Sequence, residues 1–196
     1  MSKKKNNPKH AEAVRRKSDA TIEMAKLGLK LEDDIALVGF VFSHLSFSHL
    51  NYLGLTSINK LCKTYAGIDI CLFSQHIIQP CLPLLCPVFG ISDLMRWHHH
   101  PLITTSIGTT IEALSSNAPI IYHYAFDPEF IDKPDLEPSV LAPAFCHPRV
   151  RVIVRHESHR KLIEEEFDIQ TCSVVVPDCD AEALVKLVLK EKKDGD

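Results

Sequence analysis

Apolar runs alternate with helix-period segments along most of this chain. Residues 35–42 form an unbroken apolar stretch with no polar alternation, as expected of a strand buried on both faces. After the turn-like SHLSFSH, residues 50–65 predict a helix with Leu53, Ser57, Ile58 and Leu61 near one side, and Gly67 ends it. Residues 68–74 predict a second strand, whereas 76–101, rich in proline and cysteine, have no readable period. Residues 102–105 predict a short strand, 108–116 a helix stopped near Asn117, and 119–124 another strand. Strands at 151–155 and 173–176 are predicted on either side of a helix over 157–167. The last helix has the sharpest pattern. Asp180 caps it, Ala181, Leu184, Val185, Val188 and Leu189 form its buried stripe, and Lys190, Lys192 and Lys193 close it with the charge its dipole favours.

Strands and helices in this alternation predict an α/β fold: a Rossmann-like, mostly parallel sheet with helices on both faces. Ligands of such sheets bind beyond the C-terminal ends of the strands. The loops after the first, third and fourth predicted strands start near Ser43, Thr105 and Tyr124 and should open on that one edge. The richest of them runs from Thr104 through Thr105, Ser106, Gly108, Thr109 and Thr110, where a helix must begin. Amides freed at a helix start, assisted by hydroxyls and the dipole, suit an anion such as a diphosphate. Glu112, expected in the first turn, could accept the two hydroxyls of a ribose. Together these point to a nucleotide, although the same residues also make good helix caps. The first loop adds Ser43, His44, Ser46, Ser48, His49 and Asn51; the fourth adds His123, Tyr124, Asp127 and Glu129. His44 or Asp127 is the candidate general base, and Arg155, ending its strand, a candidate partner for a leaving diphosphate.

Composition narrows the class without choosing the chemistry. With 196 residues, 45% hydrophobic and 24% charged, the chain can bury a real core. Its longest apolar run is too short to span a membrane, and no apolar segment follows the first lysines, so a cytoplasmic setting without membrane contact is expected. Residues 1–17 hold seven cations against Glu12 alone, leaving 15 basic and 24 acidic residues for the rest. The expected organisation is a basic arm over 1–31, able to touch nucleic acid, and a single domain over 32–196. Seven cysteines at irregular spacing, several inside apolar segments, read as reduced and mostly buried thiols. Neither C-x-x-C nor H-E-x-x-H occurs, and three adjacent histidines at 98–100 cannot converge on one metal from a regular element, so no metal is expected.

The segment GTTIEALSSNAPII resembles the nucleotide-binding turn and helix in the C-terminal domain of GT-B glycosyltransferases. Gly108, Glu112, Ala113, Leu114, Pro119 and Ile120 occupy matching positions. RVIVRHESHRKLIEEEF followed by SVVVPDCDAEALVKLVLKE looks like the end of that domain, and FSHLSFSHLNYLGLTSINKLC is similar to phage-encoded glycosyltransferases. The resemblance implies a nucleotide-sugar donor, with its diphosphate on Thr105, Ser106, Gly108, Thr109, Thr110 and Arg155, its ribose on Glu112, and no cofactor. Two features depart from it: Thr104 stands where many retaining members carry a second glutamate, and Asn117 replaces a glycine. A full GT-B enzyme also has two such domains around its cleft, so a partner domain or homodimer is implied. The acceptor is open to nucleic acid, protein or glycan. The alternative expectation is a non-catalytic α/β interaction or assembly module that kept the fold and lost the chemistry.

Overall fold

The computed structural model describes residues 36–65, 67–76, 79–127, 130 and 138–194. The basic arm expected over 1–31 lies outside the described residues. Among the described residues are six strands: β1 (Ala36–His44), β2 (Ile68–His76), β3 (Val88–Gly90), β4 (Leu102–Thr104), β5 (Ile121–Ala125) and β6 (Val150–Val154). They form one sheet in the order β3-β2-β1-β4-β5-β6, with every pairing parallel. Among the same residues five helices flank it: α1 (His49–Thr64), α2 (Ile107–Ala113), α3 (Pro138–Cys146), α4 (Glu157–Phe167) and α5 (Ala181–Asp194). The result is the Rossmann-like α/β arrangement that the alternating pattern predicts.

The sheet separates two apolar cores. On one face Val38, Phe40 and Phe42 of β1 pack with Leu55, Ile58 and Leu61 of α1 and Leu184, Val185 and Val188 of α5. On the other, Val41 and Phe73 meet Leu94, Trp97, Ile107 and Ala113, with Leu141 and Phe145 of α3 and Ile163 of α4. Gly39 permits the second packing: a Cβ there would fall 2.6 Å from Leu102 Cδ2 and 3.1 Å from Trp97. Because β1 runs through the sheet centre, helices after β1 and β4 depart to opposite faces. The strand order reverses between them. That is where a parallel sheet opens a crevice at its C-terminal edge.

Several elements differ from expectation for identifiable reasons. The stretch 76–101 contains β3, bonded along β2, and a 3-10 turn over Ile91–Arg96. These pieces of three and six residues are too short to show a period. α3 was not foreseen, since Pro138 and Pro143 interrupt its pattern; proline at the first helical position is tolerated, and Pro143 inside is not a usual helix residue. The strand expected over 173–176 is a single parallel bridge, Val154 to Val175, supported by Cys172 N–H to Val152 O at 2.8 Å and Val176 N–H to Val154 O at 2.9 Å. α2 ends before Asn117. Its C-terminal carbonyls are instead gathered by Arg149, whose guanidinium donates to Leu114 O at 2.6 Å, Ser116 O at 2.9 Å and Ala118 O at 3.1 Å. A cation there also suits the helix dipole. Asn117 bridges to His98.

Candidate functional site: the crevice between β1 and β4

The turn from β4 into α2 is a closed hydroxyl network. Ser106 is the N-cap: its Oγ accepts from Thr109 N–H at 3.2 Å, while Thr109 Oγ1 accepts from Ser106 N–H at 3.0 Å. This reciprocal pair satisfies two donors that a helix start would otherwise leave open. Thr105 Oγ1 donates to Val41 O at 3.0 Å, tying the turn back to β1. Thr110 Oγ1 sits among three partners: Ser106 O at 2.8 Å, Thr104 Oγ1 at 2.6 Å and His123 Nδ1 at 2.8 Å. A hydroxyl has one proton and the carbonyl can only accept. With that proton on the bond to Ser106 O, Thr104 and His123 Nδ1–H both donate to Thr110, and every group is satisfied. His123 is buried against Phe145, with ring centroids 5.0 Å apart, and burial pushes its pKa down to about 4.

Thr104, Thr109 and Thr110 are fully buried and Thr105 is 5% exposed, so these hydroxyls face the protein rather than a ligand. Two groups of the turn point the other way. Gly108 is exposed, and a Cβ added there would meet nothing within 4 Å, so the space above the second helical residue is open. Neither crowding nor a positive φ within the chain calls for glycine at this position. Glu112 is exposed too. Counted from Ile107, where α2 starts, Glu112 is the sixth residue and lies in the second turn and not the first.

The loop after β1 brings His44, Ser46 and Asn51 together. Asn51 is buried and donates from Nδ2 to His44 O at 2.9 Å and Ser46 O at 2.8 Å, which fixes the amide's orientation. His44 Nδ1 lies 3.0 Å from that same donor nitrogen and 2.7 Å from Ser46 Oγ. A nitrogen facing an NH₂ and a hydroxyl is best an acceptor, which puts the proton of the neutral ring on Nε2. Ser48 caps α1 through Asn51 N–H at 3.1 Å.

The third part of the edge is charged. Arg155, one residue beyond β6, stacks 4.0 Å over the ring of Phe126 and reaches Asp178 at 3.1 Å and Asp127 at 3.4 Å. Phe126 in turn meets the His49 ring edge-on at 5.6 Å, joining this cluster to the start of α1. Asp178 and Cys179, in the 3-10 turn over Pro177–Cys179, have positive φ values of 52° and 54°. Such backbone is held only where its surroundings fix it. Tyr124 does so: its hydroxyl donates to Val176 O at 2.7 Å and accepts from Cys179 N–H at 2.9 Å. Burial raises the Tyr124 pKa, keeping the phenol a donor.

Glu129 lies outside the described residues; the other candidate site residues lie at one edge, yet in two settings. Thr105, Thr109 and Thr110 belong to the buried network with His123, while Gly108, Glu112, His44, Asp127 and Arg155 are exposed or half-buried. Asp178 and Phe126 were missed as partners of Arg155; an aspartate after Pro177 reads as an ordinary turn residue. Among the described residues, no group of three or more His, Cys, Asp or Glu side chains could hold a metal ion. No helix among them is long and apolar enough to cross a membrane. Comparison with protein-family models, with curated proteins and with solved structures finds no match to this chain.

Proposed function

We propose that this chain is glycosyltransferase-like: it binds a nucleotide-sugar donor across the crevice between β1 and β4 and transfers the sugar to an acceptor hydroxyl. The observation that carries the reading is the reversal of strand order there, with Gly108 and Glu112 left outward-facing beside it. The donor diphosphate lies over Gly108, where only hydrogen leaves room for close approach, and Glu112 takes the ribose hydroxyls. The buried threonines hold the turn in shape and do not touch the donor. His44, with its proton on Nε2, donates a hydrogen bond to a reacting oxygen, which leaves Asp127 as the base. Asp127 is 63% exposed and meets Arg155 through one carboxylate oxygen at 3.4 Å, so its other oxygen is available to an acceptor hydroxyl. Arg155 is already shared between Asp127 and Asp178, and its contribution to a leaving diphosphate requires it to release one of them.

A thermal-shift panel of UDP, GDP, ADP and their sugars tests this. At least one should raise the melting temperature, and Glu112→Ala should remove that shift. The second reading, a non-catalytic α/β assembly module, is favoured by one observation. The hydroxyls expected to hold phosphate are satisfied within the protein, and Arg155 is neutralised by two carboxylates. Absence of a shift with every nucleotide would select it.

A further inference from the structure

The segment 79–87 lies against α1 and is fastened to it through Asn59, while Cys81 N–H bonds Leu45 O of the loop after β1 at 2.9 Å. Asn59 Nδ2 donates to Pro83 O at 2.7 Å, and its Oδ1 accepts from Leu85 N–H at 3.0 Å. Cys62 is three residues further along α1, on the same side of the helix, and Cys86 directly follows Leu85. Both are half-buried and both pack against the same apolar core, so the Asn59 clamp brings the two cysteines side by side, and each thiol's acidity is set first by the other. The segment and the helix also border a groove of about 560 Å³ lined by Tyr52, Asn59, Lys63, Leu82, Pro83 and Leu85.

We propose that Cys62 and Cys86 are a redox-active pair whose oxidation to a disulfide locks the 79–87 segment onto α1. The Asn59 bonds hold the two backbones in place while the thiols react. The neighbouring Cys86 thiol lowers the Cys62 thiol to about 7, whereas Cys62, with burial, raises Cys86. One thiolate is thus shared: the first proton leaves near neutral pH and the second is retained. A peroxide is the oxidant. The Cys62 thiolate attacks one peroxide oxygen, the O–O bond breaks, and the chain is left with a sulfenic acid and a released hydroxide. The Cys86 sulfur then attacks the sulfenic sulfur, the S–O bond breaks, and its proton leaves with the hydroxyl as water. In sum, two thiols and one hydrogen peroxide give one disulfide and two waters.

The test treats the full chain with hydrogen peroxide, natively and in guanidinium chloride, then digests it without reductant for mass spectrometry. The expected result is loss of two thiols per native chain, recovered as one cross-linked peptide pair containing Cys62 and Cys86, and scattered pairing in denaturant. In the Cys86→Ser chain, Cys62 should be found as a sulfenic acid trapped by a dimedone probe. Native Cys62 and Cys86 remaining free thiols, or pairing with other cysteines as often as with each other, would overturn the proposal. Iodoacetamide labelling at pH 7 adds a second reading: Cys62 should react several-fold faster than the similarly half-buried Cys71, whose thiol burial raises. Equal rates would count against the shared thiolate.

Discussion

Two turns at the same edge of the sheet solve opposite problems. The turn after β4 is neutral and mostly buried: Thr104 and His123 meet at Thr110, Thr109 pairs with Ser106, and Thr105 bonds Val41 O. The turn after β6 is charged and half-open, with Arg155 held between Asp127 and Asp178, each 63% exposed. In the first, the bonds of Thr104, Thr105 and His123 lie in a low-dielectric interior, where an unmade bond is costly. In the second, water screens the ions and can replace either carboxylate. A hydroxyl-rich helix start is therefore no measure of what a ligand can touch; here it marks the more rigid of the two turns.

Removing the central oxygen of the buried network should have the largest effect. Thr110→Val keeps the shape and leaves Ser106 O its bonds from Thr110 N–H and Thr109 Oγ1, but it strands His123 Nδ1 and leaves Thr104 Oγ1 only the 3.4 Å bond to Tyr122 O; it should cost about 3 kcal/mol in denaturant unfolding. A loss under 1 kcal/mol would mean that water reaches this turn. Next comes pH. Burial keeps folded His123 neutral until about pH 4, whereas the unfolded chain protonates near 6.5. As pH falls, the unfolded state takes up the proton first. Stability present above pH 6.5 is thus lost between about 6.5 and 4, by about 3 kcal/mol. His123→Asn should flatten the stability profile across that window. Arg155→Met should be milder, about 1 kcal/mol, because its carboxylate partners return to water and the stem still covers Phe126. Smallest is Gly108→Ala. With open space for the Cβ, it should raise stability by about 0.5–1 kcal/mol through helix propensity while weakening nucleotide binding. Unchanged binding would detach Gly108 from any ligand.

The sheet was readable because β1, β5 and β6 are largely apolar and buried in place, because β2 keeps an apolar stretch over Ile70–Phe73, and because α5 repeats its stripe over several turns. β3 and α3 were hidden for different reasons. Three residues bonded along β2 leave no pattern, and two prolines disguise a helix that tertiary packing of Leu141, Ala144 and Phe145 holds. At the edge, residue types revealed which positions are polar but not which way they face. Thr110 and Gly108 lie two positions apart on the same short helix, one fully buried and the other exposed, because only Thr110 turns toward β5. Position along the helix, set by the start at Ile107, decides that: a start at Thr109 or Thr110 would put Glu112 in the first turn, whereas from Ile107 it is the sixth residue, in the second.

The most direct test is an amide-resolved NMR titration of the full chain with UDP, GDP and ADP. A nucleotide bound at the crevice should perturb Gly108 and Glu112 first and His44 next, and leave the amides of α4 and α5 in place. Glu112→Ala should weaken that response by tenfold or more, the loss of about 1.4 kcal/mol. Saturating nucleotide that moves no signal around Gly108, or moves signals elsewhere with Glu112→Ala unaffected, would contradict the donor site.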